Sequence, residues 1–133
     1  MDFLIWHLLR NSTQRFPNKE ALVHNEQRLT YAEVAQKVES LALGLRNHGI
    51  RRGDRIGIFL EPSVPQVLSI FGISQAEGVY VPINSLLHTD QVIHIARDCG
   101  MKALITTASR AQGLTDALAQ IPDLKLLILI GED

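Results

Sequence analysis

The sequence predicts an α/β fold: a doubly wound, mainly parallel sheet flanked by helices, with a small N-terminal hairpin. Three observations carry that reading. From Arg55 onward, short apolar runs alternate with amphipathic stretches, the strand–helix–strand order that builds a parallel sheet with crossover helices. The run Leu126-Leu127-Ile128-Leu129-Ile130 is apolar throughout, which suits a strand covered on both faces rather than one with a wet side. Most helical stretches open on a hydroxyl residue and close at a glycine or proline, so boundaries are marked as well as periods.

Residues 1–31 supply the first helix and the hairpin. Leu4, Ile5, Leu8 and Leu9 lie on one side of an amphipathic helix, which ends before Phe16-Pro17 because proline disfavours helical geometry in the residue preceding it. Glu20-Ala21-Leu22-Val23-His24 and Arg28-Leu29-Thr30-Tyr31 are strand-like runs around the polar turn Asn25-Glu26-Gln27. Thr30-Tyr31-Ala32-Glu33 is a capping box, in which hydroxyl and carboxylate each accept a hydrogen bond from the other residue's amide. It opens a long helix over 31–49, with Val34, Val38, Leu41, Ala42 and Leu45 on the buried face and Gly49 at the left-handed end.

The alternating strands and helices occupy residues 55–130. A solvated turn, Arg51-Arg52-Gly53-Asp54, precedes them and is tied down by Asp54. A strand over 55–60 leads to Ser63-Val64-Pro65-Gln66, a second capping box with proline in the first turn, and a helix toward Ala76. A strand over 79–83 follows, then a helix capped by Thr89 that runs through Cys99 and stops at Gly100. A strand over 102–106, a helix capped by Ser109 and extending to about Gln120, the break at Pro122 and a strand over 125–130 complete the pattern.

Composition narrows the function classes. At 133 residues the chain fits one domain, and 46% hydrophobic with 20% charged residues is ordinary for a packed soluble fold. Thirteen Lys and Arg oppose fourteen Asp and Glu, so a net charge of −1 offers no field toward nucleic acid or anionic lipid. No apolar run approaches the roughly 20 residues that span a bilayer. The start follows an acid and lacks a small-residue cleavage site, so no signal peptide is expected, and the single Cys99 suits a reducing cytoplasm.

Ligands in such sheets bind beyond the carboxyl ends of the strands, here residues 61–63, 84–89, 106–109 and 131–133. None of these loops carries the glycine-rich dinucleotide or phosphate-loop fingerprint. Glu61 stands alone at its strand end, without the companion acids that a magnesium site needs. His7, His24, His48, His88 and His94 show no metal-ligand spacing and read as surface or partly buried residues. Cys99 reads as a buried, inert thiol, and Thr106-Thr107-Ala108-Ser109 suits either helix capping or an anion at a helix N-terminus.

Four blocks resemble, in order and spacing, the start of the adenylate-forming enzymes. They are Phe16-Pro17-Asn18-Lys19-Glu20-Ala21-Leu22, Leu29-Thr30-Tyr31-Ala32-Glu33-Val34, Gly49-Ile50-Arg51-Arg52-Gly53-Asp54-Arg55-Ile56 and Gln75-Ala76-Glu77-Gly78-Val79-Tyr80-Val81-Pro82-Ile83-Asn84. That superfamily holds acyl-CoA synthetases, adenylation domains of nonribosomal peptide synthetases and luciferases. The second and fourth blocks resemble its first and second core motifs. Two positions depart from the pattern: Glu77 stands inside the usual Ala-Gly pair, leaving either a turn shifted by one residue or an exposed helix end, and Ser85 replaces a proline after Asn84.

The resemblance implies the N-terminal part of the large domain of an ATP- and magnesium-dependent acid–thiol ligase. Such an enzyme converts a fatty or aryl acid to an acyl-adenylate and passes it to CoA or a carrier-protein phosphopantetheine. An adenylation domain activating an amino acid is one alternative, and a self-standing, non-catalytic α/β binding module is another. The family's phosphate loop, acidic nucleotide and magnesium residues and catalytic lysine lie beyond a segment like this one. The chain alone is therefore expected to be inactive, to bind neither cofactor, and to self-associate through a face its missing half would cover. The resemblance leaves Asn84, Ser85, Leu86 and Leu87 as candidates for contact with an acyl or CoA group.

Overall fold

The computed structural model describes residues 3–131. Met1, Asp2 and the strand-end candidates Glu132 and Asp133 lie outside the described residues. Helix α1 (Trp6–Arg15) ends at Phe16, ahead of Pro17, and is followed by β1 (Glu20–His24) and β2 (Gln27–Thr30). These two pair antiparallel, with an irregularity between Glu20 and Leu22. The turn is tighter than expected: Gln27 pairs with His24, and Asn25 takes the left-handed conformation at φ 56°, which asparagine tolerates better than most residues. Only Leu9 of the first helix's apolar set is fully buried, whereas Leu8 is exposed, because α1 rests on its neighbours along a narrow strip.

The capping box forms as its sequence requires. Thr30 Oγ1 accepts from the Glu33 amide at 3.2 Å and Glu33 accepts from the Thr30 amide at 3.0 Å. That amide bond, then the hydroxyl, holds the Glu33 carboxyl below its ordinary range. Helix α2 (Tyr31–Asn47) buries Val34, Val38, Ala42 and Leu45, with Leu41 half-buried, and Gly49 follows at φ 93°. Asp54 then closes its turn by accepting from the Arg51 amide at 2.8 Å.

Four strands, β3 (Arg55–Phe59), β4 (Val79–Pro82), β5 (Ala103–Thr107) and β6 (Leu126–Ile130), form one wholly parallel sheet in the order β4-β3-β5-β6. Helices α2 and α3 (Val64–Gln75) cover one face, where Ala42, Leu45, Ile73 and Ala76 pack on Ile56, Ile58 and Ile105. Helices α4 (Thr89–Cys99) and α5 (Ala108–Leu118) cover the other, with Val92, Ala96, Leu114 and Leu118 on Phe59 and Leu104. Alternate residues of β3 and β5 thus enter opposite cores, the period-two rule of a strand. A third cluster, around Leu9, Leu29, Val34, Val38 and Val64, seats the hairpin and α1 on α2 and α3.

Two helix caps differ from expectation in position, each for a local reason. Ser63 accepts from the Gln66 amide at 3.3 Å as a simple N-cap rather than a full capping box, and the cap of α4 is His88 rather than Thr89. His88 is the last extended residue, and its amide donates to Gln91 Oε1 at 2.9 Å, rewarding that register. Strand β5 runs directly into α5, so the cap is the last strand residue, Thr107, accepting from the Arg110 amide at 3.3 Å, and Ser109 lies inside the helix. Of the two alternatives for Glu77, the structure shows the exposed helix end: it follows α3 and is left-handed at φ 67°. A Cβ at Gly78 would stand 3.1 Å from both Ile56 and Ile73, so a larger residue there needs those side chains to give by a few tenths of an ångström.

Close helix contact depends on another glycine. Gly72 of α3 faces Leu41 of α2, where an added Cβ would lie 2.5 Å from Leu41 Cδ2. The two sheet edges differ in chemistry. In edge strand β4, Ile83 donates inward to Ile58 O at 2.9 Å, so by alternation the ring nitrogen of Pro82 faces outward and offers no donor. The other edge, β6, is apolar along its whole length, with Leu127 and Leu129 exposed.

Candidate functional site

Strand order reverses beside β3: the chain leaves it for β4 by way of α3, then returns across the sheet through α4 to β5. The carboxyl ends of β3 and β5 therefore part around a crevice, the place where open α/β sheets take ligands. A cavity of about 470 Å³ lies there, with Leu60, Glu61 and Ser63 on one wall and Thr107, Ser109 and Arg110 on the other.

Arg110 dominates the charge of that cavity. Its guanidinium carbon sits 4.6 Å from the centroid of the Phe59 ring, a contact of about 0.5–2 kcal/mol depending on desolvation. Nη1 donates to the Ser85 carbonyl at 2.9 Å, and Nη2 lies 3.5 Å from Glu61 Oε1. The Glu61 side chain is 77% exposed, so solvent leaves that ion pair little net energy. Sequence reading passed over Arg110, although one signal was present. A cation in the first turn opposes the helix dipole, so such a residue is commonly held by something outside its helix.

The four candidates beyond β4 separate by direction. Asn84 Oδ1 accepts from the Leu86 amide at 2.9 Å, and Asn84 O accepts from the Leu87 amide at 3.1 Å, which folds the segment into a tight turn. Ser85 presents its carbonyl to Arg110; Leu86 projects outward at 84% exposure; Leu87 turns inward onto the α4–α5 core. Thus Ser85 reaches the crevice through Arg110, while the cavity walls themselves come from the residues at and beyond the ends of β3, β5 and β6, Ile130 and Gly131 included.

The hydroxyl cluster also divides. Thr106 is fully buried and donates to Phe59 O at 2.8 Å, stitching the ends of β5 and β3. Thr107 caps α5, and its oxygen lies 3.3 Å from Ser109 Oγ. Cys99 is half-buried rather than buried, and desolvation raises its thiol pKa against the opposing pull of Arg55. That environment disfavours the thiolate a nucleophile needs. Among the described residues no three His, Cys, Asp or Glu side chains are grouped to hold a metal ion, and no helix is long and apolar enough to cross a membrane.

The sequence model described as "AMP-binding enzyme" matches residues 9–132. The chain belongs to the AMP-binding enzyme family. It is 39% identical over 97 residues to feruloyl-CoA synthase of an Amycolatopsis species, matching 72% of this chain and 20% of that protein. It is 30% identical over 112 residues to tyrocidine synthase 1 of Brevibacillus parabrevis, covering 84% of this chain and 10% of the relative. Among solved structures, an anthranilate CoA ligase in complex with anthranoyl-AMP superposes on 97% of the chain with a TM-score of 0.91 at 26% identity. This AMP-binding segment spans a quarter of that ligase's length and a tenth to a fifth of those two curated relatives. The family resemblance read from residues 16–84 is thereby shown, and a self-standing binding module is the less favoured reading.

Proposed function

We propose that the ligase to which this segment belongs activates a carboxylic acid with ATP and transfers the acyl group to a thiol. The acid's carboxylate attacks the α-phosphorus of ATP and pyrophosphate leaves; the thiolate of CoA or of carrier-protein phosphopantetheine then attacks the acyl carbon and AMP leaves. The observation that carries this reading is the family match over residues 9–132, shared with CoA ligases and a peptide synthetase alike. Its higher identity to feruloyl-CoA synthase than to tyrocidine synthase 1 favours CoA ligation of an aryl or fatty acid over activation of an amino acid.

Within that reaction the segment contributes framework. It sets the crevice at the strand ends, and Asn84, Ser85, Leu86 and Leu87 form the turn that borders the acyl or CoA side. Magnesium would enter with the ATP phosphates; among the described residues no three His, Cys, Asp or Glu side chains are grouped to hold a metal ion. Adenylation requires donors and cations around the developing phosphate charge, and the family's residues for that task lie beyond a segment of this kind. The enzyme acts in the cytoplasm.

Pyrophosphate release from ATP over a panel of aryl, fatty and amino acids tests the proposal. The complete ligase should release it with an aryl or fatty acid, whereas the 133-residue chain should release none. Release by the purified chain, or a complete ligase that turns over none of these acids, would overturn it.

A further inference from the structure

We propose that Arg110 is a positioning residue that sets the path of the 84–87 turn at the edge of the crevice, an inference that rests on the adenylating reading above. Its location works against its own helix, since a cation near the N-terminus of α5 meets the positive end of the helix dipole. The compensation comes from other elements. Phe59 and Glu61 lie at and beyond the end of β3, Ser85 lies beyond β4, and Arg110 itself stands just after β5. One side chain therefore joins the exits of three strands.

The guanidinium suits that task. Its Cζ lies over the Phe59 ring while Nη1 donates to the Ser85 carbonyl, a pair of contacts that the point charge of lysine cannot reproduce. The turn has two other ties, the internal bonds to Asn84 and the packing of Leu87. Without Arg110, Ser85 is no longer held toward the crevice and Leu86 loses its fixed projection. An error of about 1 Å in a substrate-bordering group is enough to impair binding or alignment.

Arg110→Met keeps the apolar stem over Phe59 and removes both polar contacts. Hydrogen exchange on the full chain should show the Leu86 and Leu87 amides exchanging about tenfold faster in this variant, with Leu114 and Leu118 of α5 unchanged. In the complete ligase, the KM for the acid or for the thiol should rise about five- to tenfold, with kcat and the KM for ATP within about twofold of wild type. Arg110→Lys keeps the charge but not the fork, and should retain at least about a threefold rise in the same KM. A merely structural role would speed exchange at all these amides together. Unchanged exchange at Leu86 and Leu87, or unchanged KM for both substrates, overturns the proposal. If Arg110→Met fails to fold, Arg110→Lys decides by the same readouts. If the complete ligase turns over no acid, the functional reading fails while the exchange measurement still decides whether Arg110 holds the turn.

Discussion

Replacing Gly72 and Gly113 by alanine adds the same methyl group to two helices and should move stability in opposite directions. In a helix interior the change from glycine to alanine gains about 0.5–1 kcal/mol by removing backbone freedom from the unfolded chain. Gly113 is exposed on α5, and an added Cβ would meet nothing within 4 Å, so that gain should appear in full. At Gly72 the new Cβ would stand 2.5 Å from Leu41 Cδ2, 2.9 Å from Cγ and 3.1 Å from Cβ. Carbon atoms prefer roughly 3.5–4.0 Å. The end of Leu41 can rotate away, but its Cβ is fixed to the backbone of α2, so the helices must separate. Overpacking of this kind costs about 1–3 kcal/mol, and two atoms inside 3 Å place it toward the upper end, about 2–3 kcal/mol. Gly72→Ala should therefore lose about 1–2 kcal/mol net while Gly113→Ala gains about 0.5–1 kcal/mol. With a urea slope of about 2 kcal/mol per molar, the two midpoints should lie about 0.75–1.5 M apart on either side of wild type. The single tryptophan, Trp6, reports the transition conveniently, because its amide donates to Ser74 Oγ on α3. If both midpoints rise, the close approach of α2 and α3 is not as described. Leu41→Ala should recover part of the loss in the Gly72→Ala background, a coupling expected only of residues in contact.

Other outcomes follow from local chemistry. Thr30→Ala should cost about 1 kcal/mol through the lost cap of α2, read by urea denaturation. Because Glu33 titrates below its unfolded value near 4.3, its contribution is complete above that pH and disappears as pH falls through the folded value. The stability gap between wild type and Glu33→Gln should accordingly close on acidification, and a gap equal at pH 7 and pH 3 would contradict the bond to Thr30. Burial raises the Cys99 thiol, so at pH 8 a disulfide reagent should label it about tenfold more slowly in the native chain than in urea; equal rates would show an open thiol. The wild-type chain should self-associate in sedimentation and Leu129→Lys, which places a charge on the exposed side of β6, should do so less; an unassociated wild type or an unchanged distribution would contradict an association through β6.

Legibility in the sequence tracked the distance over which each decision was made. The capping box of Thr30 and Glu33 spans three residues, and the periodic set from Val34 to Leu45 lies on one helix, so both could be read directly. The caps of α4 and α5 slipped by one and two residues because several hydroxyl and polar residues adjoin there and only the strand endings select among them. Glu77 could be read as an insertion but not as left-handed, since that comes with the helix-ending bond from the Gly78 amide back to Ile73 O at 2.9 Å. Candidate residues 84–87 formed one group in sequence, yet the turn around Asn84 sends Leu86 and Leu87 opposite ways. Arg110 stood out in sequence only as a first-turn cation, and its partners could not be read there, because Ser85 is 25 residues away and Phe59 lies on another strand.

The unequal edges of the sheet give it a direction of growth. A strand arriving beside β4 would meet the outward-facing nitrogen of Pro82, which cannot donate, so pairing there is interrupted. A strand arriving beside β6 meets an uninterrupted apolar row with no proline from Leu126 to Ile130. Extension, whether by more of the same polypeptide or by a foreign β-segment, is thereby channelled to one side, and any inhibitor designed to add a strand should be aimed at β6 and not at β4.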